Sequence, residues 1–139
     1  MNKSFSVKLT LPCFADIELI AQCLLDQLQT IVGFSVDKLE QAKILITEAI
    51  INSVEYNSSE MNQIFIDYEF KKNELFMTIK DSGQGFTLPE ISVPNLKNRM
   101  ERGNYRGWGL SIMKSLSDDF SIESDQKGTK IRIYLRLND

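Results

Sequence analysis

The chain contains no histidine. That absence excludes a triad with a histidine base, histidine metal ligands and an autophosphorylating histidine, so acid–base work falls to carboxylates, lysines or water. Cysteine is nearly as scarce. Cys13 and Cys23 form no CxxC pair, which suggests neither a zinc site nor a disulfide framework, and both are expected as small buried hydrophobes. No apolar run approaches the roughly 20 residues of a membrane span, and no signal-peptide core precedes Pro12. A cytoplasmic protein is expected. Basic charge is not in excess: 16 Lys+Arg against 19 Asp+Glu leave a net charge of -3, which argues against binding nucleic acid by neutralising phosphates. The Walker-type phosphate loop and the glycine-rich loop of ordinary protein kinases are both missing.

What is present describes one globular domain spanning residues 1–139, with 42% apolar and 25% charged residues. Ser4 to Leu11 alternates weakly and reads as a strand stopped by Pro12. Ala15 to Val32 carries Ile17, Ile20, Ala21, Leu24, Leu25, Leu28 and Ile31 at helical spacing before Gly33. A second helix is predicted from Val36 to about Asn57, opened by Ser35 as N-cap, with Leu39, Ala42, Ile46, Ala49, Ile50 and Ser53 on its apolar face. Two alternating runs follow, Ile64 to Phe70 and Leu75 to Ile79, joined by Lys71-Lys72-Asn73 as a hairpin. Residues 87–106 lose periodicity, contain Pro89 and Pro94 and turn basic, the pattern of a functional loop. Gly107 to Asp119 reads as a helix opened by glycines, and two strands around the turn Asp125 to Gly128 complete the chain. Strands paired in hairpins, with helices kept mostly to the first half, predict an α+β two-layer sandwich, its sheet mixed or antiparallel and its three main helices on one face.

The chemistry collects at four places. Glu48 and Asn52 are one turn apart on the second helix and point the same way. Asn52 offers a neutral oxygen suited to a hard cation such as Mg²⁺, and Glu48 can accept or orient a proton on a nucleophile. Taken alone, the pair also fits two ordinary solvated residues. Asp81-Ser-Gly83-Gln-Gly85 stands at a strand end, where glycines allow a ligand close approach and an aspartate can accept from an exocyclic amine. Arg106-Gly107-Trp108-Gly109 leads into a helix N-terminus, a place that favours anions. Gly128-Thr129 precedes the last strand.

In this order and spacing the four elements resemble the nucleotide-binding boxes of the histidine-kinase-type (GHKL) ATPases. Within that superfamily the chain looks most like the stand-alone anti-sigma-factor serine/threonine kinases, over nearly its whole length. The resemblance implies ATP and Mg²⁺ as cofactors. It implies Glu48 as general base, Asn52 as metal ligand, Asp81 at adenine with room made by Gly83 and Gly85, and Thr129 near the adenine end. Residues 87–106 would be the ATP lid, with Arg106, Gly107, Gly109 and Leu110 closing on the phosphates. It further implies a small antagonist protein as phosphoryl acceptor, a sigma factor as the sequestered partner, and a homodimer. One departure stands out: the family often carries histidine four residues after the asparagine, and here that place is Tyr56. A tyrosine, with its ordinary pKa of roughly 10, cannot serve as a base near neutrality. Two alternatives follow, a catalytically weak ATP-binding module that binds a partner without phosphoryl transfer, and an ATP hydrolase that uses water. Glu48 tells against the first, since a pure binder needs no base. The lack of a further domain to be driven tells against the second.

Overall fold

The computed structural model describes residues 4–56, 62–82 and 107–138. Its elements run β1 (Phe5–Pro12), α1 (Glu18–Val32), α2 (Val36–Tyr56), β2 (Gln63–Lys71), β3 (Glu74–Asp81), α3 (Gly107–Leu116), β4 (Asp119–Asp125) and β5 (Gly128–Arg136). The strands form one sheet in the order β1-β2-β3-β5-β4, every neighbouring pair antiparallel. Of the two arrangements expected, mixed or antiparallel, the antiparallel one is found. Two hairpins account for β2-β3 and β4-β5, and β5 returns beside β3 in the opposite sense.

Local chemistry sets the boundaries. Gly33 takes the left-handed conformation at φ 89° and its N–H bonds the Gln29 carbonyl at 2.7 Å, closing α1. Ser35 Oγ accepts from the Lys38 N–H at 3.2 Å, the cap expected at the start of α2. The helix predicted to continue to Asp119 stops at Leu116. There the Asp118 N–H bonds the Tyr134 carbonyl at 2.9 Å and the Asp118 carboxylate takes the Arg136 N–H at 2.7 Å, so β5 captures the chain and Asp119 starts β4.

Alternation along the strands gives the sheet one covered face. Ile64, Ile66, Tyr68 and Phe70 of β2 are buried against the helices, as are Leu75, Met77 and Ile79 of β3 and Ile131, Ile133 and Leu135 of β5. All six residues assigned to the apolar face of α2 are buried. Each such Leu or Ile stabilises the fold by about 1.5–3 kcal/mol. Tyr68 adds a tie across the layers, its hydroxyl donating to the Ala21 carbonyl at 3.2 Å. Helices α1 and α2 are joined by Gln22 Nε2 donating to Thr47 Oγ1 at 2.6 Å and by the Lys43–Asp26 ion pair at 3.1 Å.

The first helix corrects two expectations. Ile20 and Ile31 are exposed, because α1 reaches the core through the narrower stripe Ala21, Leu25 and Leu28. Cys23 lies on the same outward side and is exposed, whereas Cys13 is buried as expected.

Candidate nucleotide site

Asp81 ends β3, the middle strand, and its side chain turns to the helix-covered face. In register with it across the sheet stand Leu11, Ile64, Thr129 and Ser124. Three members of that row are polar, although the rest of the covered face is apolar. Asp81 and Thr129 are 4% and 3% exposed. A carboxylate and a hydroxyl withdrawn from water at the edge of a core cost free energy unless they are bonded. Asp81 Oδ1 accepts the Thr129 N–H at 3.3 Å, and Thr129 Oγ1 shares a hydrogen bond with Ser124 Oγ at 3.0 Å. The sequence singled out Asp81 and Thr129 separately; the structure places them in direct contact. Ser124 was not foreseen, and its signal lay in the β4-β5 register, which sets it opposite Thr129.

Gly128 belongs to the same cluster. Its φ is +141°, and a β-carbon there would collide with the main-chain carbonyl of Asp81. Asp81, Gly128 and Thr129, with Glu123 and Lys127, line an open cavity of about 250 Å³.

Helix α2 brings its polar residues to this end. Asn52 is 1% exposed, and its Nδ2 has no hydrogen-bond partner among the described residues. Buried side-chain amides are almost always paired, so an orphan marks a group whose partner comes from elsewhere. The next residue, Ser53, is buried and its carbonyl lies 4.0 Å from Cys13 Sγ, a weak thiol donor. Cys13 also feels the charge of Asp81: burial first, and then that carboxylate, push its thiol above the ordinary range. Cys13 thus lies against Ser53 of α2 and within the field of Asp81, which sequence reading, taking it for a core residue, did not foresee.

Glu48 is half-buried one turn earlier and faces the groove between α1 and α2, an open cavity of about 310 Å³ shared with Gln22, Lys43 and Thr47. It does not line the Asp81 cavity. Helix α3 starts at Gly107 and packs on α2, with Leu110 buried. Gly107 and Gly109 therefore lie in the first turn of a helix, where main-chain N–H groups have no partner within the helix. Gly83, Gly85, Arg106 and the expected lid over 87–106 lie outside the described residues. A larger open concavity of about 650 Å³ lies on the other face of the sheet and shares none of the expected site residues.

The donor set fits a Mg²⁺ held mainly by phosphates and water. Among the described residues there is no group of three Asp, Glu, Cys or His that would form an all-protein cage. The Asn52 amide carries one neutral oxygen of the kind such an ion accepts, while its Nδ2, without a partner among the described residues, is a donor suited to an acceptor such as a phosphate oxygen.

The site thus sets a buried aspartate at the end of the middle strand of a two-layer sandwich, with a buried asparagine on the covering helix whose Nδ2 has no partner among the described residues. The profile of the histidine kinase-like ATPase domain matches residues 15–135, nearly the whole chain. Curated relatives narrow the class. The chain is 32% identical over 110 residues to an anti-sigma F factor of Bacillus subtilis (strain 168), covering 75% of this chain and 73% of that protein. It is 27% identical over 131 residues to the serine-protein kinase RsbW of Oceanobacillus iheyensis, covering 90% and 82% of the two chains. Among solved structures, the RsbU and RsbW domains of a Mycobacterium tuberculosis protein superpose with a TM-score of 0.72 at 16% identity. That match covers 96% of this chain and 32% of the longer one. A histidine kinase domain from Erythrobacter litoralis gives 0.58 at 15% identity, covering 90% and 64%. The chain belongs to the histidine kinase-like ATPase domain family and, within it, to the anti-sigma-factor serine/threonine kinases.

Proposed function

We propose that this single-domain chain is an ATP- and Mg²⁺-dependent serine/threonine protein kinase of the cytoplasm that also acts as an anti-sigma factor. It phosphorylates a small antagonist protein, sequesters a sigma factor and works as a homodimer. The observation that carries the reading is the buried amide of Asn52, whose Nδ2 donor has no partner among the described residues and so suits an acceptor such as a phosphate oxygen. The names of the relatives, an anti-sigma factor and serine-protein kinases, supply the partners and the acceptor class.

In this reading Asp81 accepts from the exocyclic amine of adenine, with Thr129 and Ser124 fixing the carboxylate and the hydroxyl beside it. Gly83 and Gly85 give the base room. Asn52 holds Mg²⁺, which when bound neutralises charge on the phosphates. Gly107, Gly109 and Leu110 open α3 toward the phosphates, and Arg106 and the 87–106 segment close over them. Glu48 takes the proton of a serine or threonine hydroxyl as its oxygen attacks the γ-phosphorus. The bond from that phosphorus to the β–γ bridging oxygen breaks, and ADP departs. Catalysis is then mostly positioning and charge neutralisation.

The test is transfer from γ-labelled ATP to an antagonist protein. Glu48→Gln should lower transfer by about 10²–10⁴-fold, the usual contribution of a positioned base, with nucleotide affinity retained. Undiminished transfer removes Glu48 from this role. A second reading is favoured by Tyr56, four residues after Asn52 and unable to serve as a base near neutrality: an ATP-binding module that holds its partner without phosphorylating it. It predicts partner and ATP binding by wild type with no labelled acceptor.

A further inference from the structure

We propose that Ser124 is a specificity-determining residue of the nucleotide site: by donating a hydrogen bond to Thr129 Oγ1 it keeps that hydroxyl a donor to the ring nitrogen N1 of adenine, beside the amine that Asp81 accepts. The inference rests on the nucleotide reading above and adds to it the residue that sets how the base edge is read.

Ser124 stands where an apolar residue is expected. Strand β4 turns Phe120, Ile122 and Ser124 to the helix-covered side, and the first two pack against the core. The third breaks the run at the height of Asp81 and meets its cross-strand partner Thr129 instead, Oγ to Oγ1 at 3.0 Å. Ser124 is half-buried on an edge strand and does not line the Asp81 cavity, whereas Thr129 does. It therefore acts on a bound base through Thr129, as a positioning residue.

A hydroxyl can both donate and accept, so either oxygen of this pair can supply the proton. The carboxylate decides between them. Asp81 and Thr129 are cross-strand partners with side chains on the same face, and the Thr129 N–H bonds Asp81 Oδ1 at 3.3 Å. Side chains so paired lie roughly 5 Å apart. In the field of that negative charge the Thr129 O–H dipole is lowest in energy with its hydrogen on the carboxylate side and its lone pairs turned away. Those lone pairs then meet Ser124, which becomes the donor. The edge offered to a base is an acceptor at Asp81 next to a donor at Thr129. Adenine carries the complement, an amine at C6 next to a lone pair on N1. Guanine carries the reverse, an oxygen at C6 next to an N1–H, so both groups of the site oppose it. Without the Ser124 hydroxyl, Thr129 is free to turn and the N1 half of that reading is lost.

The test is calorimetric titration of wild type, Ser124→Ala and Ser124→Thr with ATP, 1-deazaadenosine triphosphate and purine riboside triphosphate, each with Mg²⁺. The first analogue keeps the amine and lacks N1; the second keeps N1 and lacks the amine. Wild type should bind ATP about tenfold or more tightly than either analogue. In Ser124→Ala the advantage of ATP over the 1-deaza analogue should shrink to about twofold, while its advantage over the purine analogue stays as in wild type. Ser124→Thr keeps the hydroxyl and should restore the first ratio. Each ratio is taken within one protein, so a general loosening of the site moves neither. A Ser124→Ala chain that weakens all three nucleotides by one factor overturns the proposal, as does a Ser124→Thr chain that behaves like it. Wild type that binds ATP and the 1-deaza analogue equally, yet the purine analogue more weakly, overturns the role of Ser124 and leaves that of Asp81 standing. Wild type that binds none of the three overturns the nucleotide reading itself. If Ser124→Ala fails to fold, Ser124→Cys, which keeps the bulk and donates only weakly, carries the same comparison.

Discussion

Gly128 lies so close to Asp81 that the main-chain carbonyl of the aspartate occupies the space a β-carbon would need. The two residues sit at the meeting of β3 and β5, one place out of register, since Asp81 pairs with Thr129. Backbone faces backbone here, so neither side yields by rotating a side chain. Gly128→Ala should therefore destabilise the fold by about 1–3 kcal/mol or more, from a strained φ of +141° together with the clash. Urea unfolding measures it, and an unchanged midpoint would show that the turn can move.

Asn52 should behave in the opposite manner. Its amide nitrogen has no partner among the described residues, so removing it forfeits no hydrogen bond seen in the structure. Asn52→Ala should change stability by less than about 1 kcal/mol, while affinity for ATP in the presence of Mg²⁺ falls about tenfold or more. Calorimetry with and without the metal separates the two. A variant that binds Mg²⁺·ATP as wild type does would remove the metal role.

Asp81→Asn keeps the shape and keeps an oxygen for the Thr129 N–H. It puts an amide donor where the carboxylate had an acceptor, so the fold should hold while ATP affinity drops roughly 10–100-fold, the worth of a hydrogen bond to a charged group. Thermal melting and nucleotide titration on the same preparation make the comparison. Unchanged affinity would show that the base binds elsewhere.

Cys13 provides an alkaline signature. Its thiol is raised in the fold, first by burial and then by Asp81, from an ordinary value of 9.0. A raised pKa stabilises the fold in full below the unfolded value and ceases to do so as pH climbs through the folded one. Wild type should therefore lose stability above about pH 9 more steeply than Cys13→Ala. Burial pushes the Tyr68 phenol up as well, but that group starts from 10.0, so the interval just above pH 9 isolates Cys13. Equal slopes would show that the thiol is not held from water. At neutral pH, alkylating reagents should reach the exposed Cys23 well before the buried Cys13.

Much of this fold is legible from short-range pattern. The cap at Ser35, the apolar face of α2 and the β2-β3 hairpin each depend on residues within a turn or two. The first two fall where their spacing puts them, and the loop expected over Lys71-Lys72-Asn73 tightens to Lys72-Asn73 because Lys71 still pairs with Glu74. What was hidden depends on partners far along the chain. Helical spacing put Ile20 and Ile31 on the inner side of α1, but only the packed neighbours decide how wide the covered stripe is. The site divides in the same way. Asp81 and Thr129 could each be suspected from adjoining glycines, but their hydrogen bond spans 48 positions and exists only once β5 has joined β3. Cys13 looked like filler because nothing in its own segment places it against Ser53 or in the field of Asp81.

That long span has a bearing on synthesis. A nascent chain that has emerged as far as β4 already holds both longer helices and the β1-β2-β3 ladder, yet its middle strand still has one bare edge and its aspartate lacks the Thr129 N–H. Closing so large a loop is slow beside forming a hairpin. On the function proposed above, competence to bind a nucleotide should therefore appear late and abruptly, with β5, and a ribosome-bound fragment would neither consume ATP nor be stabilised by it before that strand is made.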